Sequence, residues 1–283
     1  MTTESLASAD AARFRALHAP GQLLILANAW DAVSARLIES IGGTAIATSS
    51  AAMAWAHGAA DGERLPFDRL LAATRDIVRA VHVPVSVDFE RGYSTSPAEV
   101  ADAICRLSEV GVVGVNLEDG AEPPELLAAK LSASREALRR EGRDMFLNAR
   151  TDVILRRMVS GPQALDEVVR RARRYVDAGC DGVFVPGSLT AEELARVVEE
   201  VRVPLNVWAA PTLPPLEQLR AIGVRRVSVG PRLVLTALSA VRRDAEQVLA
   251  GRWAPAPEGA TPTYAELNAW FGPDVDVRVG HPH

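Results

Sequence analysis

Short, nearly continuous apolar runs recur along the chain, each followed by a stretch with helical spacing of apolar residues. The runs are Leu23–Asn28, Ala45–Ser50, Pro84–Phe89, Gly114–Asp119, Met145–Thr151, Gly182–Gly187, Pro204–Ala209 and Arg226–Pro231. Their lack of polar alternation predicts parallel strands buried on both faces. Helical patterns cover Asp31–Ser40, Pro66–Val81, Pro97–Val110, Pro162–Ala178 and Ala191–Val201. Several open on Ser or Thr before Pro or an acid, and others close near Gly, which are start and stop signals. Eight strand–helix units predict a (β/α)8 TIM barrel. A doubly wound sheet is the rival, but the first turn, Ala27-Asn28-Ala29-Trp30-Asp31, lacks G-x-G-x-x-G. No linker rich in Pro, Gly or Ser divides the chain, so residues 1–252 read as one barrel domain. Residues 253–283 read as a connector, Trp253–Ala260, and a helix, Thr263–Trp270. Trp270 and Phe271 suit a helix that docks on the barrel or on a neighbouring subunit.

At 283 residues and 48% hydrophobic, the chain can bury one large core. A net charge of −5 disfavours nucleic acid as a partner. Cys105 and Cys180 are too few for a disulfide framework or a zinc cluster and read as small buried residues. Residues 1–20 carry no apolar signal core, and no apolar run approaches the roughly 20 residues that span a bilayer. A soluble, cytoplasmic protein without membrane partners is the expectation.

Candidate chemistry gathers at the C-terminal ends of the runs, where barrel enzymes place their sites. Asp88 and Glu90 end one run, Glu118 and Asp119 the next, and Asn148, Arg150 and Asp152 the third. Strand alternation would turn Asp88 and Glu90 to one side. Neighbouring carboxylates repel unless a cation or a shared proton lies between them. Oxygen ligands favour Mg²⁺, with Mn²⁺ as an alternative. No His lies near these carboxylates in sequence, which disfavours zinc. Arg150, within an apolar strand, needs an anion: a substrate carboxylate or phosphate, or Glu118 on the next strand. The small residues Ser49, Ser50 and Ala51 could offer backbone N–H groups to an oxyanion. Asp61 reads by default as a turn residue and His57 as a solvated loop residue. His18, His82, His281 and His283 read as peripheral.

Together these segments resemble the isocitrate lyase and phosphoenolpyruvate mutase superfamily. The resemblance rests on Asn28-Ala29-Trp30-Asp31 with Ser34-Ala35-Arg36, Thr48-Ser49-Ser50, Asp61-Gly62, Val87-Asp88-Phe89-Glu90-Arg91-Gly92-Tyr93, Asn116-Leu117-Glu118-Asp119 and Asn148-Ala149-Arg150-Thr151-Asp152. Phe184-Val185-Pro186-Gly187 and Val227-Ser228-Val229-Gly230-Pro231 follow. It implies a Mg²⁺-dependent barrel enzyme that makes or breaks C–C or P–C bonds beside a carbonyl through an enolate-like intermediate. By position, Asp88 would bind the metal directly, while Glu90, Glu118 and Asp61 hold its waters. Ser49, Ser50 and Ala51 would bind substrate oxygens, and Arg150 would clamp a carboxylate. Trp30, Asn148 and Asn206 complete the expected substrate contacts. Arg150, Glu118 and Tyr93 form the expected catalytic set, with Tyr93 or His57 as proton donor. The resemblance also implies a homodimer or homotetramer that exchanges a C-terminal helix.

The departures narrow the chemistry. The lyases carry Lys-Lys/Arg-Cys-Gly-His after the fourth strand, and the mutases a loop with Lys and Asn. Here the loop reads Asp119-Gly120-Ala121-Glu122-Pro123-Pro124-Glu125-Leu126. The mutase His after the sixth strand corresponds to Pro186, and the lyase Glu nearby to Gly187. The leading expectation is a C–C lyase, decarboxylase-like, acting on a small 2-oxo or 2-hydroxy acid. A phosphoenolpyruvate- or phosphonopyruvate-type transformation is the second reading, and a non-catalytic metabolite-binding barrel the third.

Overall fold

A computed structural model describes residues 3–253 and 262–272. Its parallel strands are β1 (Leu24–Leu26), β2 (Asn28–Ala29), β3 (Ile46–Thr48), β4 (Val85–Asp88), β5 (Gly114–Glu118), β6 (Phe146–Arg150), β7 (Gly182–Val185), β8 (Leu205–Trp208) and β9 (Arg226–Ser228). β1 pairs with β9, and β2 with β3. These two are one run that changes partner at Ala27, so the ring is that of a (β/α)8 barrel. Asn28 bridges the change. Its Nδ2 donates to the Thr48 carbonyl at 2.7 Å, and its Oδ1 accepts the N–H groups of Val229 and Gly230 at 2.9 and 3.0 Å.

The helices are α1 (Thr3–Ala16), α2 (Ala32–Ser40), α3 (Ser50–Ala56), α4 (Phe67–Ala80), α5 (Pro97–Glu109), α6 (Pro124–Arg140), α7 (Gln163–Asp177), α8 (Ala191–Val201), α9 (Leu216–Ile222), α10 (Arg232–Leu249) and α11 (Tyr264–Trp270). The five predicted helical stretches match α2, α4, α5, α7 and α8 to about one residue at each end. Their starts follow the capping chemistry. Asp31 with Ser34 and Thr190 with Glu193 form capping boxes, and Ser96 caps α5 ahead of Pro97.

Outward-facing Val85, Val87, Val115, Leu117, Leu147 and Val183 meet the helices and form the main core. A second cluster fills the lumen: Leu24, Leu26, Ala45, Ala47 and Phe146, closed from below by Phe14 of α1. His18 belongs to this plug, which corrects its reading as peripheral. It is 4% exposed and stacks on Phe146 at 4.3 Å between ring centroids. Arg15 ties α1 down through Asp144 and Asp181.

α11 buries none of its residues in this chain, so docking on its own barrel is not what the structure shows. Most of the expected connector, and the chain after 272, lie outside the described residues. Among the described residues, no helix is long and apolar enough to cross a membrane.

Candidate active site

The site is built where β3, β4 and β5 end. Asp88 closes β4, and its N–H donates to the Thr48 hydroxyl at 3.0 Å. Its Oδ2 accepts the N–H and hydroxyl of Ser50 at 3.3 and 3.0 Å. Its Oδ1 is buried without a partner. Ser49 caps α3, so Ser50 and Ala51 lie in a first turn whose amides lack intrahelical acceptors.

Glu90 does not share a strand face with Asp88 as alternation suggested, because β4 stops at Asp88. Glu90 sits beyond it in the left-handed region, at φ 49°, as do Tyr93 and Glu63, both at 62°. Conformations of this kind cost energy and are held by surrounding contacts. Glu63 supplies them. Its N–H donates to Glu90 at 2.7 Å, and its carboxylate accepts the Tyr93 N–H at 2.8 Å and Arg91 at 2.6 Å. Burial, reinforced by Asp88 and Asp61, pushes the Glu90 carboxyl up to about 7. Burial and the Glu90 and Glu63 charges raise the Tyr93 phenol. The Lys130 ammonium, on the chain's sole lysine, is 1% exposed. It donates to the Arg91 carbonyl at 2.7 Å, pinning the same loop from α6.

Glu118 and Arg150 face each other in register across β5 and β6 and pair at 2.8 Å. Burial, with Asp152, Asp88 and Glu90 nearby, still holds the Glu118 carboxyl above its ordinary range. Arg150 is also forked onto Asp152, through Nε at 2.7 Å and Nη2 at 3.2 Å. A guanidinium has five N–H donors. Three are committed here, which leaves two for a ligand. The pairing with Glu118 foreseen as the alternative is therefore present, and Arg150 still reaches the cavity. Asp119 is structural. Fully buried, it accepts from Thr151, the Asp152 N–H, Arg171 and Tyr175 at 2.7 to 2.9 Å.

A cavity of about 210 Å³ opens over these groups. Ser49, Ser50, Ala51, Asp61, Asp88 and Arg150 line it, together with Asn28 and Asn116. Leu155, Phe184, Pro186, Trp208, Ser228 and the Gly230-Pro231 turn complete the wall. Of the wall, Ser49, Ser50, Ala51, Asp61, Asp88 and Arg150 were expected from sequence as ligand or metal contacts, and the rest, Trp208 and Ser228 among them, were not. The signal was present, since alternation carries the inward phase of β8 and β9 to Trp208 and Ser228. The expected residues Trp30, Glu90, Tyr93, Glu118, Asn148 and Asn206 lie outside the wall. Asn148 and Asn206 sit deeper, donating to Asn116 at 2.8 Å and accepting from Ser228 at 3.3 Å. His57 caps the end of α3, its Nδ1 against the Met53 carbonyl.

Below the cavity lies Arg226, 1% exposed, with Nε and Nη1 unpartnered. Its contact with Asn116 is long, at 3.3 Å. A larger hollow of about 670 Å³ on α7 and α8 is far from the strand ends. Its Arg170, Arg173, Arg174 and Arg196 are each paired with a carboxylate.

The family model for phosphoenolpyruvate phosphomutase matches residues 14–249. The chain belongs to this family. The uncharacterized protein Rv1998c of Mycobacterium tuberculosis is 34% identical over 256 residues, covering 90% of this chain and 95% of that protein. The oxaloacetate decarboxylase of Pseudomonas entomophila is 28% identical over 235 residues, 80% of each chain. A solved structure from Burkholderia cenocepacia J2315, provisionally named a phosphonomutase, is 38% identical. It superposes with a TM-score of 0.80 over 84% of this chain and 99% of that one. The family thus lies within the isocitrate lyase and phosphoenolpyruvate mutase superfamily, whose members are C–C lyases and mutases.

Proposed function

We propose that the protein is a Mg²⁺-dependent C–C lyase, decarboxylase-like, acting on a small 2-oxo or 2-hydroxy acid. The observation that carries this reading is Asp88. It holds a buried, unpartnered carboxylate oxygen at the strand ends, in one cavity with Arg150 and the Ser50-Ala51 turn. The all-oxygen donors fit a cation that takes one or two direct carboxylates and keeps several waters. Among the described residues, no three His, Cys, Asp or Glu side chains form a closed cage. Asp88 would therefore bind directly, and Asp61, Glu90 and Glu118 through water, with waters and substrate oxygens completing the shell. Mn²⁺ suits the same donors.

Such an ion supplies Lewis-acid polarisation of the 2-oxo group. The two remaining N–H groups of Arg150 hold the substrate carboxylate. The Ala51 N–H, with the Ser49 hydroxyl, faces the oxygen on which negative charge develops, while the Ser50 hydroxyl is held on Asp88 beside it. Glu118 holds Arg150 in place. Breaking the C–C bond leaves an enolate that needs a proton. Tyr93, kept protonated by its surroundings, is the proposed source, relayed by water because Tyr93 does not form the wall. The oxaloacetate decarboxylase relative supports this reading, as does a loop after Asp119 without Cys, Lys or His.

The matched family and the Burkholderia structure favour phosphonate transformation as a second reading. One screen separates the two. The purified protein is assayed with Mg²⁺ or Mn²⁺ against oxaloacetate, 2-methylisocitrate, dimethylmalate, phosphonopyruvate and phosphoenolpyruvate, with Asp88→Ala as control. Turnover of a carbon acid, abolished by Asp88→Ala, is expected. Turnover of the phosphonate alone would transfer the assignment to the second reading. Metal-dependent binding without turnover would point to a metabolite-binding barrel. We place residues 1–252 as the catalytic barrel and 253–283 as its docking extension, in a cytoplasmic homodimer or homotetramer.

A further inference from the structure

We infer that Asn116 is a donor to an anionic oxygen of the ligand, and that Arg226 beneath it is the positioning residue that sets and polarises its amide. The inference rests on the proposed binding of an acid beside Asp88.

Arg226 stands on β9 and Asn116 on β5, opposite each other in the ring. The Arg226 side chain crosses the lumen and donates from Nη2 to Asn116 Oδ1 at 3.3 Å. Its guanidinium therefore lies inside the barrel under the cavity floor. It is 1% exposed, and its Nε and Nη1 meet no acceptor. Burial pushes the guanidinium down to about 10, while the Asp88 charge favours its cationic form, so it stays charged at neutral pH. A buried cation without a paired anion destabilises a fold, and an apolar side chain would fill the same space without that penalty. Stability alone therefore does not account for an arginine here.

The contact fixes which way the Asn116 amide points. A guanidinium only donates, so the Asn116 atom that it meets is the carbonyl oxygen. Asn148 Nδ2 donates to that same oxygen at 2.8 Å. Asn148 is tightly placed in turn, since a Cβ on Gly182 would lie 3.0 Å from its Oδ1. With Oδ1 held from below by two donors, Asn116 Nδ2 is turned to the cavity that the residue lines. Asn116 is the register partner of Asp88 on neighbouring β4. Its N–H groups are not used on Asp88, whose Oδ1 has no partner and whose Oδ2 accepts from Ser50. Two N–H donors beside that carboxylate suit an oxygen that carries negative charge. A cation behind the amide carbonyl polarises the group and strengthens its N–H as a donor. Arg226 thus acts on the ligand through Asn116 without touching it.

The test is calorimetric titration of oxalate, a doubly charged metal-chelating acid, into the full chain with and without Mn²⁺. Asn116→Ala and Arg226→Met are each expected to weaken oxalate binding in Mn²⁺ by about tenfold or more. Combined, they should weaken it by clearly less than the product of the two losses, because both act on the same N–H groups. Arg226→Lys, which keeps the charge, is expected to retain most of the affinity. Mn²⁺ alone should bind Arg226→Met as tightly as the unmodified protein or more so, since a cation beneath the site has been removed. Oxalate affinity in Mn²⁺ that stays within about twofold in either single variant overturns the inference and leaves chelation standing. A combined loss equal to the product separates Arg226 from Asn116 and overturns the positioning role. Weaker binding of Mn²⁺ alone by Arg226→Met, or failure of both Arg226→Met and Arg226→Gln to fold, makes Arg226 structural and overturns it too. Oxalate binding that both substitutions weaken, but that does not depend on Mn²⁺, upholds the Asn116 donor and overturns chelation. No oxalate binding by the unmodified protein under either condition overturns both.

Discussion

Glu63 illustrates how much of the site depends on one side chain that the cavity does not expose. It joins the loop carrying Asp61 to the turn carrying Glu90 and Tyr93, and all three of its contacts are short. Glu63→Gln keeps the backbone N–H to Glu90 but removes the charge that holds Arg91. Loss of an outer partner of this kind commonly costs about tenfold or more in metal affinity. A comparable drop in Mn²⁺ affinity, measured calorimetrically, is expected with little change in thermal midpoint. Unchanged affinity would show that the turn holds its shape without Glu63. His18 makes a second prediction at this scale. Its Nδ1–H donates to the Phe14 carbonyl at 2.8 Å, leaving Nε2 buried and unpartnered. Burial, aided by Arg226, pushes the imidazole down to about 4 from 6.5. The folded state therefore resists the proton that the unfolded chain accepts. This contribution is complete above pH 6.5 and is lost as pH falls toward 4. It amounts to about 3 kcal/mol at most. The opposite trend from Glu90, whose raised carboxyl favours folding at lower pH, makes a variant comparison necessary. Relative to His18→Gln, the unmodified protein should lose thermal midpoint more steeply between pH 6.5 and 4.5. Parallel curves would remove His18 as the cause.

At the scale of elements, the α1 plug is the least conventional part of the barrel, and one contact tests it. Phe14 is fully buried against Phe146. A Cβ on Gly114 would lie 2.7 Å from its ring, so β5 uses glycine to admit the helix. Phe14→Ala is expected to cost about 3–5 kcal/mol. Gly114→Ala alone should also destabilise by clashing with the ring. Combined, the two should cost clearly less than their sum, because each removes the reason for the other's penalty. Strict additivity of the thermal shifts would separate them. This plug also marks where sequence reading stopped. Strands were legible because burial on both faces leaves continuous apolar runs. The break at Ala27 was not, because it arises from a change of pairing partner rather than from composition. α1 shows little apolar periodicity, since it inserts chiefly Phe14 into the lumen, with Ala11 beside it. In the site, Asp88, Ser50 and Arg150 could be found because they occupy strand ends. Glu63 and Arg226 could not, because their partners lie 27 and 110 residues away.

For the whole molecule, the C-terminal helices carry apolar surface that one chain does not cover. α10 buries only Val234. Leu238, Val241 and Val248 follow at alternating spacings that place them on one stripe with Val234, and all three are exposed. Leu235, Leu249 and Trp253 widen this surface, and Tyr264 on α11 is 86% exposed. An exposed apolar stripe along a helix of this length marks a contact. A second copy of the chain is the proposed occupant, in keeping with the helix exchange implied by the superfamily resemblance. Light scattering should then give a mass at a multiple of 30.3 kDa. The pair Leu238→Glu and Val241→Glu should shift it toward the monomer, and a monomeric unmodified protein at about 10 μM would refute the assembly. The consequence reaches the cavity, because α10 begins immediately after Pro231 in its wall. If partner contacts hold α10 in place, the dissociated variant should also bind 2-oxo acids more weakly, although neither substituted residue touches the cavity.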